Sequence, residues 1–395
     1  MKLKKIILLV FILLTAKSYS QGQSVISEMA FQQSPFLQGA GATGTAVITY
    51  EPTGFYYNPA ILGFNAKTNH MSILFFPKKI KNWWDGWYTD ISINTLGLNI
   101  GYNFGKIIPI SVGIGFIHNY YNYDFFLSDR DYINTFSIGA SLNYPVSFGL
   151  GFSIKNYNST LGNFTASGIA YDIGAILDVP IDELLLKNVN YDLNKTFFLT
   201  PKVDFVLGYS LSNVGNEVSY VDPAQADPLP RTARLGYSFN LGINLNMNNK
   251  CISAFSYTFV AEASDQLPER DSNSNTSYKG LLGDINVGEN LIQLKYSNNT
   301  MIHKAHIFNA LETVKIAFGN FHSNRGPFIS NSETSATSFS TKGIFKLINN
   351  NANNSLLKFI TKHIGIEYTM SKVFKDTSME TKYSAISIFF NNFEL

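Results

Sequence analysis

The chain has 395 residues, of which only 15% are charged, with a net charge of +2 and a single cysteine. A balance so close to zero excludes the basic footprint of a nucleic-acid binder. The lone Cys251 excludes a disulfide framework, a thiol pair and a cysteine-built zinc site.

In chain order, residues 1–20 read as a signal peptide. Lys2, Lys4 and Lys5 form the basic start, 6–14 is the apolar run, and Ser18 and Ser20 stand at the two positions a signal peptidase reads, so cleavage is expected before Gln21. The apolar run is too short to span a bilayer comfortably, and no later stretch of about 20 apolar residues exists, so no helix is expected to cross a membrane. Residues 21–66 are the second unit. They hold a glycine-rich piece at 39–44 and then 53–62, and are expected to fold as a hatch inside or under the remainder.

Residues 67–395 are the third unit and carry the dominant pattern. Leu96, Leu98, Ile100, Tyr102 and Phe104 share one parity, while Gly97, Asn99, Gly101 and Asn103 share the other. Successive side chains of a strand point to opposite faces, so one face is greasy and the other small and polar. Phe148, Leu150, Phe152 and Ile154 alternate in the same way with Ser147, Gly149, Gly151 and Ser153. Strands are expected at about 68–76, 87–105, 109–123, 131–144, 146–158, 167–179, 201–213, 230–246, 250–261, 278–285, 290–297, 305–320, 361–370 and 382–391. That makes about 14, an even number as bacterial barrels require. The fold class is therefore all-β, a transmembrane antiparallel β-barrel in the outer membrane with lipid on its apolar face. A soluble sandwich would need bulky inward faces and polar outward ones, the reverse of Gly and Ser opposite Phe and Leu.

The connections follow from what interrupts the alternation. Tyr144 and Pro145 leave room only for a tight periplasmic hairpin. The polar stretches 262–278 and 321–341 are expected as extracellular loops, and 342–364 and 182–193 as short helices or loops. Lys78, Lys79, Lys81, Trp83, Trp84, Trp87 and Tyr88 have the composition of a membrane-interface anchor, with an ordinary aromatic loop as the alternative. Ile386, Ile388 and Phe390 form the outward face of a final strand that resembles a barrel-assembly signal, although the chain ends without a terminal aromatic.

Catalytic chemistry has little to stand on. There is no Gly-x-Ser-x-Gly elbow and no glycine loop leading into a helix. His118 shares parity with outward Phe116, which places it at an interface rather than in a catalytic pocket. His303 and His306 lack a third ligand. No enzyme activity, cofactor or metal is expected.

Two ordered blocks resemble a known family. Leu37-Gln38-Gly39-Ala40-Gly41-Ala42-Thr43-Gly44-Thr45-Ala46, followed by Thr53-Gly54-Phe55-Tyr56-Tyr57-Asn58-Pro59-Ala60, looks like the N-terminal signature of FadL-like outer-membrane proteins, and within them is most similar to the PorV/PorQ family of Bacteroidota. Leu211-Ser212-Asn213-Val214-Gly215 and Pro228-Leu229-Pro230-Arg231-Thr232-Ala233-Arg234-Leu235-Gly236-Tyr237-Ser238 form the second block. The resemblance implies a barrel of about 14 strands with an N-terminal hatch whose motif residues here are Gly39, Gly41, Gly44, Asn58, Pro59 and Ala60. It implies service to type IX secretion, with translocon subunits and cargo signal domains as partners beside outer-membrane lipids. The alternative is a FadL-like channel for hydrophobic small molecules such as long-chain fatty acids. The motif residues are expected to shape the hatch rather than to touch a ligand.

Overall fold

In a computed structural model, residues 24–391 are described, except 32, 81–90, 106–107, 125–127, 188, 194–196, 248–249, 272–274, 323–330, 349–354 and 376–379. The expected signal peptide at 1–20 therefore lies outside the described residues, as do the side chains of the Lys/Trp cluster at 78–88.

Fourteen strands form the wall: β1 (His70–Ile80), β2 (Ile91–Asn103), β3 (Ile110–Asp124), β4 (Ser128–Asn143), β5 (Ser147–Leu161), β6 (Phe164–Pro180), β7 (Phe197–Gly215), β8 (Thr232–Met247), β9 (Lys250–Gln266), β10 (Thr300–Ala310), β11 (Val314–His322), β12 (Asn331–Ser340), β13 (Ile364–Val373) and β14 (Thr381–Asn391). Each pairs antiparallel with its sequence neighbour. β6 pairs with β7, and β1 pairs with β14, so the sheet closes on itself. Closure leaves no edge strand, which is the condition for a sheet to sit in hydrocarbon.

The alternation decides the two faces. On β5, Phe148, Leu150, Phe152 and Ile154 are exposed on the outside, while Gly149, Ser153 and Lys155 are turned inward and buried or nearly so. Cross-strand register extends this band around the wall: Leu98 pairs with Phe116, Phe116 with Phe136, and Phe136 with Ile154. An outer surface of Phe, Leu and Ile on a closed barrel is a lipid-facing surface. The protein is an outer-membrane β-barrel.

Several expected elements differ. The run 305–320 is a hairpin of β10 and β11, not one strand. Its turn is built by Leu311 and Glu312, both at positive φ (53° and 51°), so the glycine or asparagine that normally marks such a turn is missing. The 278–285 stretch is mostly turn, and 290–297 is not a strand: it overlaps a single π-helical turn at Val287–Ile292. Of the expected loop at 321–341, residues 331–340 form β12, whose outward positions Glu333, Ser335 and Thr337 give no apolar signal. The expected loop at 262–278 begins as wall, because β9 continues to Gln266. The count of 14 thus survives through compensating errors. The hairpin at 144–146 and the short helices Ile181–Leu185, Lys342–Ile348 and Ser355–His363 lie where expected.

Candidate functional site

The glycines on the inward faces are there because another stretch of backbone passes close by. A Cβ at Gly151 would collide with the Pro59–Ala60 peptide, and one at Gly139 would come within 2.5 Å of the Pro59 carbonyl oxygen. Gly97 meets Thr53, Gly113 meets Leu62, and Gly208 meets Thr45. On the far side, Gly319 and Lys304 meet Gly41, while Ser335 and Ser371 meet Gly39. The segment 33–66 therefore touches the inward faces of strands around most of the ring. It lies across the lumen.

All six sequence-expected motif residues belong to this segment and are buried. Gly41 has φ +70° and its amide donates to Thr334 Oγ1 at 2.8 Å, while Thr334 Oγ1 donates to the Gly39 carbonyl at 2.8 Å. A side chain at Gly41 would be strained by its φ and would strike the Lys304 carbonyl. Gly44 packs directly on the Tyr57 ring, leaving no room for a Cβ. Asn58 bridges to two wall strands: its Nδ2 donates to the carbonyls of Thr45 (2.8 Å), Ala175 (3.1 Å) and Tyr209 (3.2 Å), and its Oδ1 accepts the Ala60 amide at 3.1 Å. Pro59 and Ala60 supply the turn that passes Gly151.

Two buried charge clusters hold the segment, and sequence reading missed both. In the first, Arg234 of β8 lies 2.5 Å from Glu262 Oε1 of β9 and donates to the Ala42 carbonyl at 3.4 Å. The other Glu262 oxygen accepts the Gly44 and Thr45 amides at 3.0 and 2.9 Å. His303 joins them through the Gly41 carbonyl at 2.9 Å and Ser264 at 3.0 Å. In the second, Lys155 of β5 meets Asp172 of β6 at 2.8 Å, donates to Asn213 Oδ1 at 2.7 Å, and lies 4.1 Å from the Tyr56 ring centre. Asn213 donates onward to the Met29 and Pro230 carbonyls. The signal was available in the sequence as single charges at inward parity in mid-strand. Which opposite charge each would meet depends on register.

Glu51 is the buried acid of the segment itself. Ser34 donates to its carboxylate, and the Phe36 amide donates at 3.4 Å. Burial lifts the Glu51 carboxyl to about 7, against the lowering effect of those two hydrogen bonds. Lys315 and Glu367, paired at 3.1 Å on the nearby wall, are the charged groups facing it.

The histidines separate. His303 is buried in the lumen, whereas His306 is on the outside, hydrogen-bonded to Tyr257 at 2.8 Å. An odd spacing on a strand puts two side chains on opposite faces, so this pair cannot share a metal. His118 lies on the outward parity, 2.7 Å from Asn134.

No family model matches the sequence, and no curated protein matches it. Solved structures do. The chain is similar to the Pseudomonas putida toluene transporter TodX (11% identity, 91% of this chain and 98% of that one, TM-score 0.42). It is also similar to a Pseudomonas aeruginosa FadL homologue (9%, 91% and 98%, TM-score 0.41) and to the CymD monoaromatic hydrocarbon channel (11%, 91% and 97%, TM-score 0.38).

Proposed function

We propose that this barrel is a FadL-like passage for small hydrophobic molecules, with the segment 33–66 as its hatch. One observation carries the reading. Beyond the hatch, toward the end of the barrel with the longest connection (267–299), the inward face changes from Gly and Ser to Leu74, Phe76, Ile93, Tyr121, Ile133 and Tyr157. A water-filled pore has no use for such residues on its inner wall. They form a buried apolar cluster, into which Ile26 and Met29 of the N-terminal stretch are packed. A greasy ligand entering from outside would take the place of these two side chains.

The test is saturable binding of radiolabelled toluene and of a long-chain fatty acid to the purified barrel in detergent. The passage reading expects saturable binding of at least one, strengthened when Ile26 and Met29 are both replaced by Ala. Absence of saturable binding by both proteins would sink it.

A second reading, service to type IX secretion as in the PorV/PorQ family, draws support from one feature. The two sequence blocks that resemble that family meet in space, since Arg234 of the second block donates to the carbonyl of Ala42 in the first. In this reading the hatch is a permanent brace and the extracellular rim binds partner proteins. Affinity purification from native outer membranes, with mass spectrometry of what co-purifies, separates the two. Translocon subunits or cargo signal domains favour the second reading, and a lone barrel carrying lipid or fatty acid favours the first.

A further inference from the structure

Among the described residues, charge interrupts the apolar outer wall at a few outward positions near the rim, and at one of these two lysines meet. Lys372 of β13 and Lys382 of β14 are directly opposite each other in register, and both point outward and are exposed. Like charges directly opposite on a sheet face are destabilising. Lys372 has no carboxylate partner among the described residues, while Lys382 lies 3.4 Å from Glu380. The neighbouring Lys375 is 3.9 Å from Glu333.

The rows beneath the lysines are graded. Ser335 pairs with Lys372, and the next outward row is Thr337, Met370 and Ser384. Below that come Phe339, Tyr368 and Ile386, all exposed, and then Ile366 and Ile388. A groove of about 400 Å³ runs over this region, lined by Thr337, Tyr368, Met370, Lys372, Lys382 and Ser384 among others. Cations and hydroxyls thus stand at the top of the groove, and aromatic and aliphatic side chains below.

Depth fixes which part of a lipid each row meets. From the Ile364–Phe390 pair to the Lys372–Lys382 pair is eight residues, roughly 26 Å along a strand at about 3.3 Å per residue. With strands tilted by about 40°, that is roughly 20 Å of height, close to the full apolar band of about 25 Å. The lysines therefore reach headgroup level at the end of the barrel that carries the longest connection, 267–299, which is the extracellular end.

We propose that this groove is a binding site for a phosphorylated glycolipid of the outer leaflet. The lysine ammonium groups take the phosphate, the Ser335, Thr337 and Ser384 hydroxyls face the sugar, and an acyl chain lies along Met370, Tyr368, Ile386 and Ile366. The phosphate relieves the repulsion between the two lysines that Glu380, which pairs with Lys382 alone, leaves. The site is independent of what passes through the lumen.

The experiment is native mass spectrometry of the purified barrel incubated with a bisphosphorylated lipid A, with the same lipid after enzymatic dephosphorylation, and with inorganic phosphate as competitor. The wild type is expected to retain one phosphorylated lipid. The K372Q/K382Q double variant is expected to retain it about tenfold less, as two lost charge-assisted contacts imply, and K372R/K382R to retain it. Heat-modifiable migration on a gel reports that each variant is folded, and the single variant K372Q replaces the double one if that fails to fold. Equal retention by the Gln variant, equal retention of the dephosphorylated lipid, or complete displacement by millimolar phosphate would each overturn the assignment, the last by making the site one for free anions.

Discussion

Glu262 and Arg234 lie on adjacent strands, yet the shared partner of their 2.5 Å contact is a third element, the N-terminal segment. One glutamate oxygen binds the guanidinium and the other accepts the Gly44 and Thr45 amides. The pair is thus a fastening between the wall and the segment 33–66. Because both groups are buried, removing one strands the other.

Arg234→Met leaves the Glu262 carboxylate uncompensated and is expected to cost about 3–5 kcal/mol. Arg234→Met with Glu262→Leu is expected to cost less than the sum of the two single changes. Guanidinium unfolding of detergent-solubilised barrel, read for all four members of the cycle, measures the coupling. Strict additivity would mean that the two residues do not act as a pair.

Gly151→Val puts a side chain where the Pro59–Ala60 peptide runs. The wall should still close, since β5 loses none of its ladder hydrogen bonds, but the segment 33–66 should be displaced. Hydrogen exchange over 54–66 is expected to speed up strongly. Gly365→Ala is the control: its Cβ finds nothing nearer than Phe389 at 3.7 Å, so its effect is expected within about 0.5 kcal/mol.

Asn58→Asp replaces an amide donor with a carboxylate that faces three carbonyl oxygens. Such a charge, buried and without a donor, is expected to cost more than the roughly 1–3 kcal/mol of an unsatisfied neutral group. Protection of the segment 33–66 in the variant should partly recover on acidification, as the new carboxyl takes up a proton. Asn58→Ala should show no such recovery.

Docking of the segment 33–66 is expected to depend on pH through Glu51. Its folded value, about 7, lies above the ordinary carboxylate value, so the docked state binds more protons than the released one. The stabilisation is fully present below the ordinary value and is lost as pH rises toward 7. Protease accessibility of the segment is expected to increase between about pH 4.5 and 7, and Glu51→Gln to abolish that dependence while Lys315 and Glu367 stay in place. An unchanged profile in the Gln variant would assign the titration elsewhere.

How far each element could be read from the chain follows its range of interaction. Phe148 to Ile154 announce their strand because alternation is a local property of one segment. β12 is silent because only Phe339 of its outward residues is apolar, beside Glu333, Ser335 and Thr337, and the β10–β11 turn is silent because Leu311 and Glu312 adopt left-handed φ without the usual residues. The motif Gly39, Gly41, Gly44 and Asn58-Pro59-Ala60 is visible as a block. Its partners Glu262, Lys155 and Asp172 are not, and Arg234 stands out only as a member of the second block.

By itself the sequence determined the wall: a period of two, with lipid-facing Phe, Leu and Ile opposite Gly and Ser, has a closed antiparallel barrel as its membrane solution. Only the tertiary structure decided what fills that wall. The path of 33–66 past Gly151 and Gly208, and the pairing of Arg234 with Glu262 and Lys155 with Asp172, depend on register between strands far apart in the chain. Side-chain period is local, whereas the meeting of two inward charges is set by how the whole ring closes.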